Sequence, residues 1–137
     1  MTTHLGQKPK DHVVLEIVGT AEGLDFQRNL PDGTSSGIFR VPRGMVLVVT
    51  DVDWQYNAGT PGERQTLRLS IVNLADPTES RRVFESSVML NNSGSGGISE
   101  AMTSGFVVSS AARLAVDEEP GGGVLNHAIL RGYLSPE

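Results

Sequence analysis

Across Gly44-Met45-Val46-Leu47-Val48-Val49-Thr50-Asp51-Val52-Asp53-Trp54 the first half is apolar on both faces of an extended strand, and the second half on only one. Neighbouring strand residues point to opposite faces, so simple alternation puts Val46, Val48, Val52 and Trp54 on one face and Met45, Leu47 and Val49 on the other. Both faces then need a cover. A facing sheet supplies one, and a loop or a second copy of the chain supplies the other.

With 137 residues the chain is long enough for one domain with a hydrophobic core of its own. It has no cysteine, which removes disulfides, thiolate catalysis and cysteine-bound zinc, and leaves the compartment open. The formal net charge is -5, and the basic residues are scattered along the chain, which argues against a nucleic-acid partner. The longest fully apolar run, Met45 to Val49, is too short to cross a bilayer, so membrane insertion is not expected. Met1 to Lys10 lacks the apolar core of a signal peptide; localisation is left open, an extracellular one with the signal peptide absent from this sequence included.

Residues 1–11 read as a flexible N-terminal arm and 12–137 as a single domain. From His12 onward, alternating or β-branched runs are separated by Gly, Pro, Asn and Asp clusters, the pattern of an all-β antiparallel sandwich. Strands are predicted at His12 to Val18, Leu24 to Asn29, Gly37 to Val41, Met45 to Trp54, Gln65 to Asn73, Arg81 to Leu90, Gly105 to Ser109, Arg113 to Asp117 and Val124 to Leu134, eight or nine in all. Pro31-Asp32-Gly33 and Pro42-Arg43-Gly44 have turn chemistry. Asn57 to Gly62, Asn91 to Gly97 and Glu118 to Gly123 are expected as loop tips, and Ser99 to Met102 as a single helical turn at most.

The last strand is apolar on both faces by simple alternation. Leu125, His127, Ile129, Arg131 and Tyr133 fall on one, and Asn126, Ala128, Leu130, Gly132 and Leu134 on the other. Two such strands in one small sandwich point to a subunit interface built from Met45, Leu47, Val49, Leu125, His127, Ile129 and Tyr133.

A candidate ligand site lies where the apolar strand runs into its loop, at Asp51, Asp53, Trp54, Tyr56 and Asn57. Aromatic rings beside carboxylates and an amide suit a glycan, because sugar C–H faces stack on rings while hydroxyls bond polar groups. The competing expectation is that Trp54 caps the core and the two Asp face solvent. Asp51-x-Asp53 also resembles the opening of a calcium loop, but Tyr56 stands where glycine is needed and Gly62 where a bidentate glutamate is needed, so an EF-hand is excluded.

The remaining chemistry-bearing residues form no motif. Asp117-Glu118-Glu119 reads as a solvated strand end, and His4, His12 and His127 lack ligand spacing, so neither a metal nor another cofactor is expected. His127 reads as a hydrogen-bonded core or interface imidazole, or as a pH-sensitive contact where copies meet. Ser93-Gly94-Ser95-Gly96-Gly97 lacks the Gly-x-Ser-x-Gly elbow, and Gly121-Gly122-Gly123 precedes no helix. Asp51, Asp53, Glu63, Glu85 and Glu100 would have to converge in space to make a glycosidase pair. The chain is therefore expected not to be an enzyme.

The strand order and spacing, with Gly105-Phe106-Val107-Val108 late in the chain and a terminal Leu130-Arg131-Gly132-Tyr133-Leu134, resemble the jelly roll of the C1q and tumour necrosis factor families. They are also similar to small bacterial β-sandwich proteins that close on a Gly-aromatic-Leu strand. The resemblance implies a jelly-roll homotrimer that binds a protein or glycan at its outer surface or loop tips and catalyses nothing.

Overall fold

The computed structural model describes residues 11–18, 25–119 and 124–137. Residues 1–10 of the expected arm, Leu24 and residues 120–123 of the expected loop tip lie outside them.

Nine strands follow one another along the chain: β1 (His12–Val18), β2 (Asp25–Asn29), β3 (Ser35–Ile38), β4 (Met45–Asn57), β5 (Arg64–Asn73), β6 (Ser80–Met89), β7 (Gly96–Ser109), β8 (Ala112–Glu119) and β9 (Val124–Pro136). All paired strands run antiparallel, in a six-stranded sheet ordered β3-β2-β1-β9-β4-β7 and a three-stranded sheet ordered β6-β5-β8. The expected all-β sandwich is the observed architecture. Its core lies between the sheets, with Val13, Leu15, Leu47, Val49, Val52, Trp54, Tyr56, Ala128 and Leu130 from the larger sheet and Leu67, Leu69 and Leu114 from the smaller one. Each large apolar side chain removed from water here contributes about 1.5–3 kcal/mol.

Most strand boundaries agree with the sequence pattern to within a few residues. β7 does not. It starts at Gly96, nine residues before the predicted Gly105, and absorbs the expected helical turn at Ser99 to Met102. The short turn-like motif there loses to the ladder with β4, which pairs Ala101, Glu100, Ser99 and Ile98 with Asp51, Val52, Asp53 and Trp54.

Simple alternation also fails on β4, for a definite reason. Val49 pairs with Gly132 and Asp51 with Arg131, so Thr50 is an extra residue against β9. A bulge of this kind leaves one residue unpaired and shifts the side-chain phase by one. Leu47 and Val49 before it, and Val52, Trp54 and Tyr56 after it, consequently all face the core. A second register shift places Gln55 opposite His127 but Tyr56 opposite Leu125, making Asn126 the extra residue on β9 and turning Leu125 inward. The backbones flanking the Thr50 bulge lie so close that a Cβ on Gly132 would strike the Val48 carbonyl and one on Gly105 the Val49 carbonyl. Glycine is the residue that fits there.

The loops expected as separate tips dock on each other. Gly59 N–H donates to the Gly94 carbonyl and Gly62 N–H to the Leu90 carbonyl, both at 2.9 Å. The Asn91 side-chain oxygen accepts from the Ser93 and Ser95 amides at 2.8 and 3.1 Å. The Asn91 to Gly97 segment, expected as a flexible loop, is therefore a hydrogen-bonded turn packed against its neighbour, leading into β7.

Candidate functional site

Strand alternation divides the residues of the candidate ligand site between two faces, and the bulge at Thr50 sets which of the two is inward. Trp54 and Tyr56 are each 1% exposed and lie between the sheets. Trp54 Nε1–H donates to Ser86 Oγ of the facing sheet at 3.0 Å, which satisfies the indole where it is buried. Neither ring can stack on a sugar at the surface, so the aromatic platform is corrected, and Trp54 lies in the core as the competing expectation had it. Asp51, Asp53 and Asn57 occupy the opposite, outer face of the six-stranded sheet, together with Gln55.

The expected interface set is divided in the same way. Leu47 and Val49 belong to the core at 1% exposure, and Met45 and Leu125 pack against it. His127, Ile129 and Tyr133 remain on the outer face, half-buried among their cross-strand neighbours. Simple alternation missed the two bulges, and the four core residues are corrected accordingly.

What the outer face brings together is read from the ladder. Val107, Val48, Tyr133 and His12 form one row across β7, β4, β9 and β1. Ala101, Asp51, Arg131 and Val14 form the next, followed by Ser99, Asp53, Ile129 and Glu16. Beyond these, Gly97, Gln55 and His127 line a shallow depression with Asp53 and Ser99. Asp53 Oδ1 stands 3.7 Å from His127 Nε2, an ion pair when the imidazole is protonated. Gln55 Nε2 donates to Asn57 Oδ1 at 3.3 Å, holding both amides along the strand. Gln55, Ser99, Val48 and Val107 carried no signal for this surface in the sequence; the registers of β4 with β7 and with β9 assemble them with Arg131.

The outer face of the three-stranded sheet has a different character. Glu85 Oε2 accepts from Arg68 Nε at 3.0 Å and Arg82 Nη1 at 2.9 Å, and Thr66 and Ser87 hydroxyls are 2.8 Å apart. The hydrogen bond from Arg68, reinforced by the nearby guanidinium charges, holds the Glu85 carboxyl below its ordinary pKa. Asp32, in the turn between β2 and β3, is also lowered, first by the Thr34 hydroxyl. The carboxylates considered for hydrolysis do not converge: Glu85 is on this polar face, Glu63 is in an exposed loop, and Glu100 is across β7 from the Asp51 and Asp53 face. Among the described residues no three His, Asp or Glu side chains come together as a metal site.

No protein-family model and no curated protein matches this chain.

Proposed function

We propose that the chain is a non-enzymatic binding or structural module of jelly-roll type whose working surface is the outer face of β1, β9, β4 and β7, where it meets further copies of itself. One observation carries this reading. Val107, Val48, Tyr133, Ile129 and Val14 stand on a sheet face against which no described element of the chain packs, while the other sheet turns an ionic network to solvent. Apolar side chains left uncovered on a sheet face and interleaved with a few charges mark an interaction surface.

The jelly-roll part of the reading is supported by nesting. β5 pairs with β6, β4 with β7 and β1 with β9, the order produced when one long antiparallel hairpin coils into two sheets. The fourth nested pair departs from that order, because β2 and β3 extend the larger sheet beyond β1 and leave β8 paired to β5 alone. The resemblance implies three copies.

Light scattering at micromolar concentration tests the reading, with a mass above that of one chain expected. Ile129→Asp, at the centre of the face and outside the core, is expected to yield a folded single chain. A wild-type protein of single-chain mass at every concentration ends the proposal.

A further inference from the structure

The partner on this face, on the reading that the face binds copies of the chain, can be specified from its charge pattern. The acids and bases stand in adjacent columns, with Asp51 and Asp53 on β4 and Arg131 and His127 on β9. Asp51 and Arg131 are cross-strand neighbours, yet among the described residues Arg131 makes no ion pair and Asp51 accepts only from the Thr50 hydroxyl, at 3.2 Å. Arg131 is also exposed. A cation and an anion thus stand side by side on an apolar surface, each able to take a partner from above.

We infer that two copies pack these faces together about a two-fold axis running along the strands between β4 and β9. Such an axis exchanges the two columns. Each residue of β4 then faces the residue that is its own β9 neighbour, supplied by the other copy, and each residue of β7 faces β1 in the same way. Asp51 faces the partner's Arg131, Val48 faces the partner's Tyr133, and Asp53, 3.7 Å from its own His127, faces the partner's Ile129. On the flanks Ala101 faces the partner's Val14, Ser99 faces the partner's Glu16, and Val107 faces the partner's His12. The charged pair is met twice, once on each side of the axis. No acid meets an acid.

The alternatives do not share this property. A two-fold axis lying across the strands stacks β4 on β4 and β9 on β9, bringing the acidic column over itself and the basic column over itself. Moving the lengthwise axis to the gap between β9 and β1 leaves Arg131 over the partner's Val14, with no carboxylate opposite it. Like charges facing each other at an interface are disfavoured, and charges buried without a partner more so. A three-fold ring requires two different patches that fit each other, whereas a two-fold contact requires one patch that fits itself. With Leu47, Val49 and Leu125 committed to the core, the single patch that remains is of the second kind.

Charge reversal and cross-linking test the arrangement. Wild-type protein is expected at the mass of two chains by light scattering or sedimentation. Arg131→Asp and Asp51→Arg, each alone, face like charges across the axis and are expected at single-chain mass, with circular dichroism confirming the fold. Mixing the two variants, or combining both substitutions in one chain, restores opposite charges and the two-chain mass. Because the chain has no cysteine, exposed His12 and Val107 can each carry a single one. A short bismaleimide is expected to link His12→Cys to Val107→Cys when the two are mixed, and neither variant to itself. This arm decides the matter even where a charge variant fails to fold. A three-chain mass, linkage of Val107→Cys to itself, or wild-type pairing without cross-linking in the mixture overturns the axis while leaving self-association standing. Single-chain mass for the wild type overturns both readings.

Discussion

Replacing Ser86 with alanine removes one oxygen and leaves the Trp54 indole N–H without its partner at 3.0 Å. Trp54 is 1% and Ser86 6% exposed, so solvent does not readily replace the bond. A buried donor left unsatisfied costs about 1–3 kcal/mol. In a chain of this size each kcal/mol lowers Tm by about 3–4 °C, so a fall of about 3–12 °C is expected. Thermal unfolding read by far-ultraviolet circular dichroism measures the shift, urea unfolding measures the free energy, and the fluorescence of the single Trp reports independently on the folded state. The control is a double-mutant cycle. In a Trp54→Phe background there is no indole N–H to orphan, so Ser86→Ala should cost much less there. Equal cost in both backgrounds, or a change below about 0.3 kcal/mol in the wild type, would refute the assignment of Trp54 as a core residue tied to the facing sheet.

Gly94→Ala is expected to lose about 1–3 kcal/mol in chemical denaturation, because the position has a φ of 74° and a Cβ there would meet the Gly59 carbonyl, whereas exposed Ser93→Ala changes little. Shortening residues 93 to 96 should likewise reduce stability, since the turn is docked on the loop at Gly59. For Glu85, whose folded pKa is lowered chiefly by the hydrogen bond from Arg68, the stabilisation is present above the unfolded carboxyl pKa and is lost as pH falls through the folded one. Wild type should therefore exceed Glu85→Gln in urea midpoint at neutral pH by a small margin, and the two should converge in acid; a margin that grows in acid contradicts the network.

The sequence carried the fold class because alternation is a local signal: Leu67, Leu69 and Ile71 on β5 and Val13, Leu15 and Ile17 on β1 keep one phase throughout. The same signal misassigned the subunit face for an equally local reason. Met45 to Val49 is apolar at every position, so nothing in that stretch reveals its phase, and the phase is set by an unpaired residue visible only in the ladder. Asp51 and Asp53 were correctly singled out as surface acids, but Trp54 and Tyr56 were separated from them by their inward alternation beyond Thr50. The rows across the outer face depend on β7 pairing with β4 from Gly96 onward, and a run of Gly, Ser and Thr does not announce a strand without its partner.

The bulge makes a prediction that separates it from every other position on β4. Because Thr50 is the residue left out of the ladder, deleting it leaves Val49 opposite Gly132 and Asp51 opposite Arg131, with alternation now continuous between them. The same side chains stay in the core, and what is lost is local twist and the Thr50 hydroxyl contacts to the Asp51 carboxylate at 3.2 Å and the Arg131 carbonyl at 3.3 Å. Deleting Asp53, also polar and three residues further on, has no such escape. Either Trp54 and Tyr56 turn outward, at about 1.5–3 kcal/mol for each ring, or the bulge is consumed and Asp51 is driven inward in place of Val52. The second route puts a carboxylate between apolar sheets, which costs several kcal/mol unless it stays protonated. Against a total stability of about 5–15 kcal/mol, either route exhausts much of the margin. The Thr50 deletion is therefore expected to melt cooperatively near the wild type with Trp54 still shielded from acrylamide, and the Asp53 deletion to unfold or expose the indole. Equal loss in the two deletions would mean that Thr50 is an ordinary ladder residue, and the placement of Asp51 and Arg131 side by side on the outer face would fail with it.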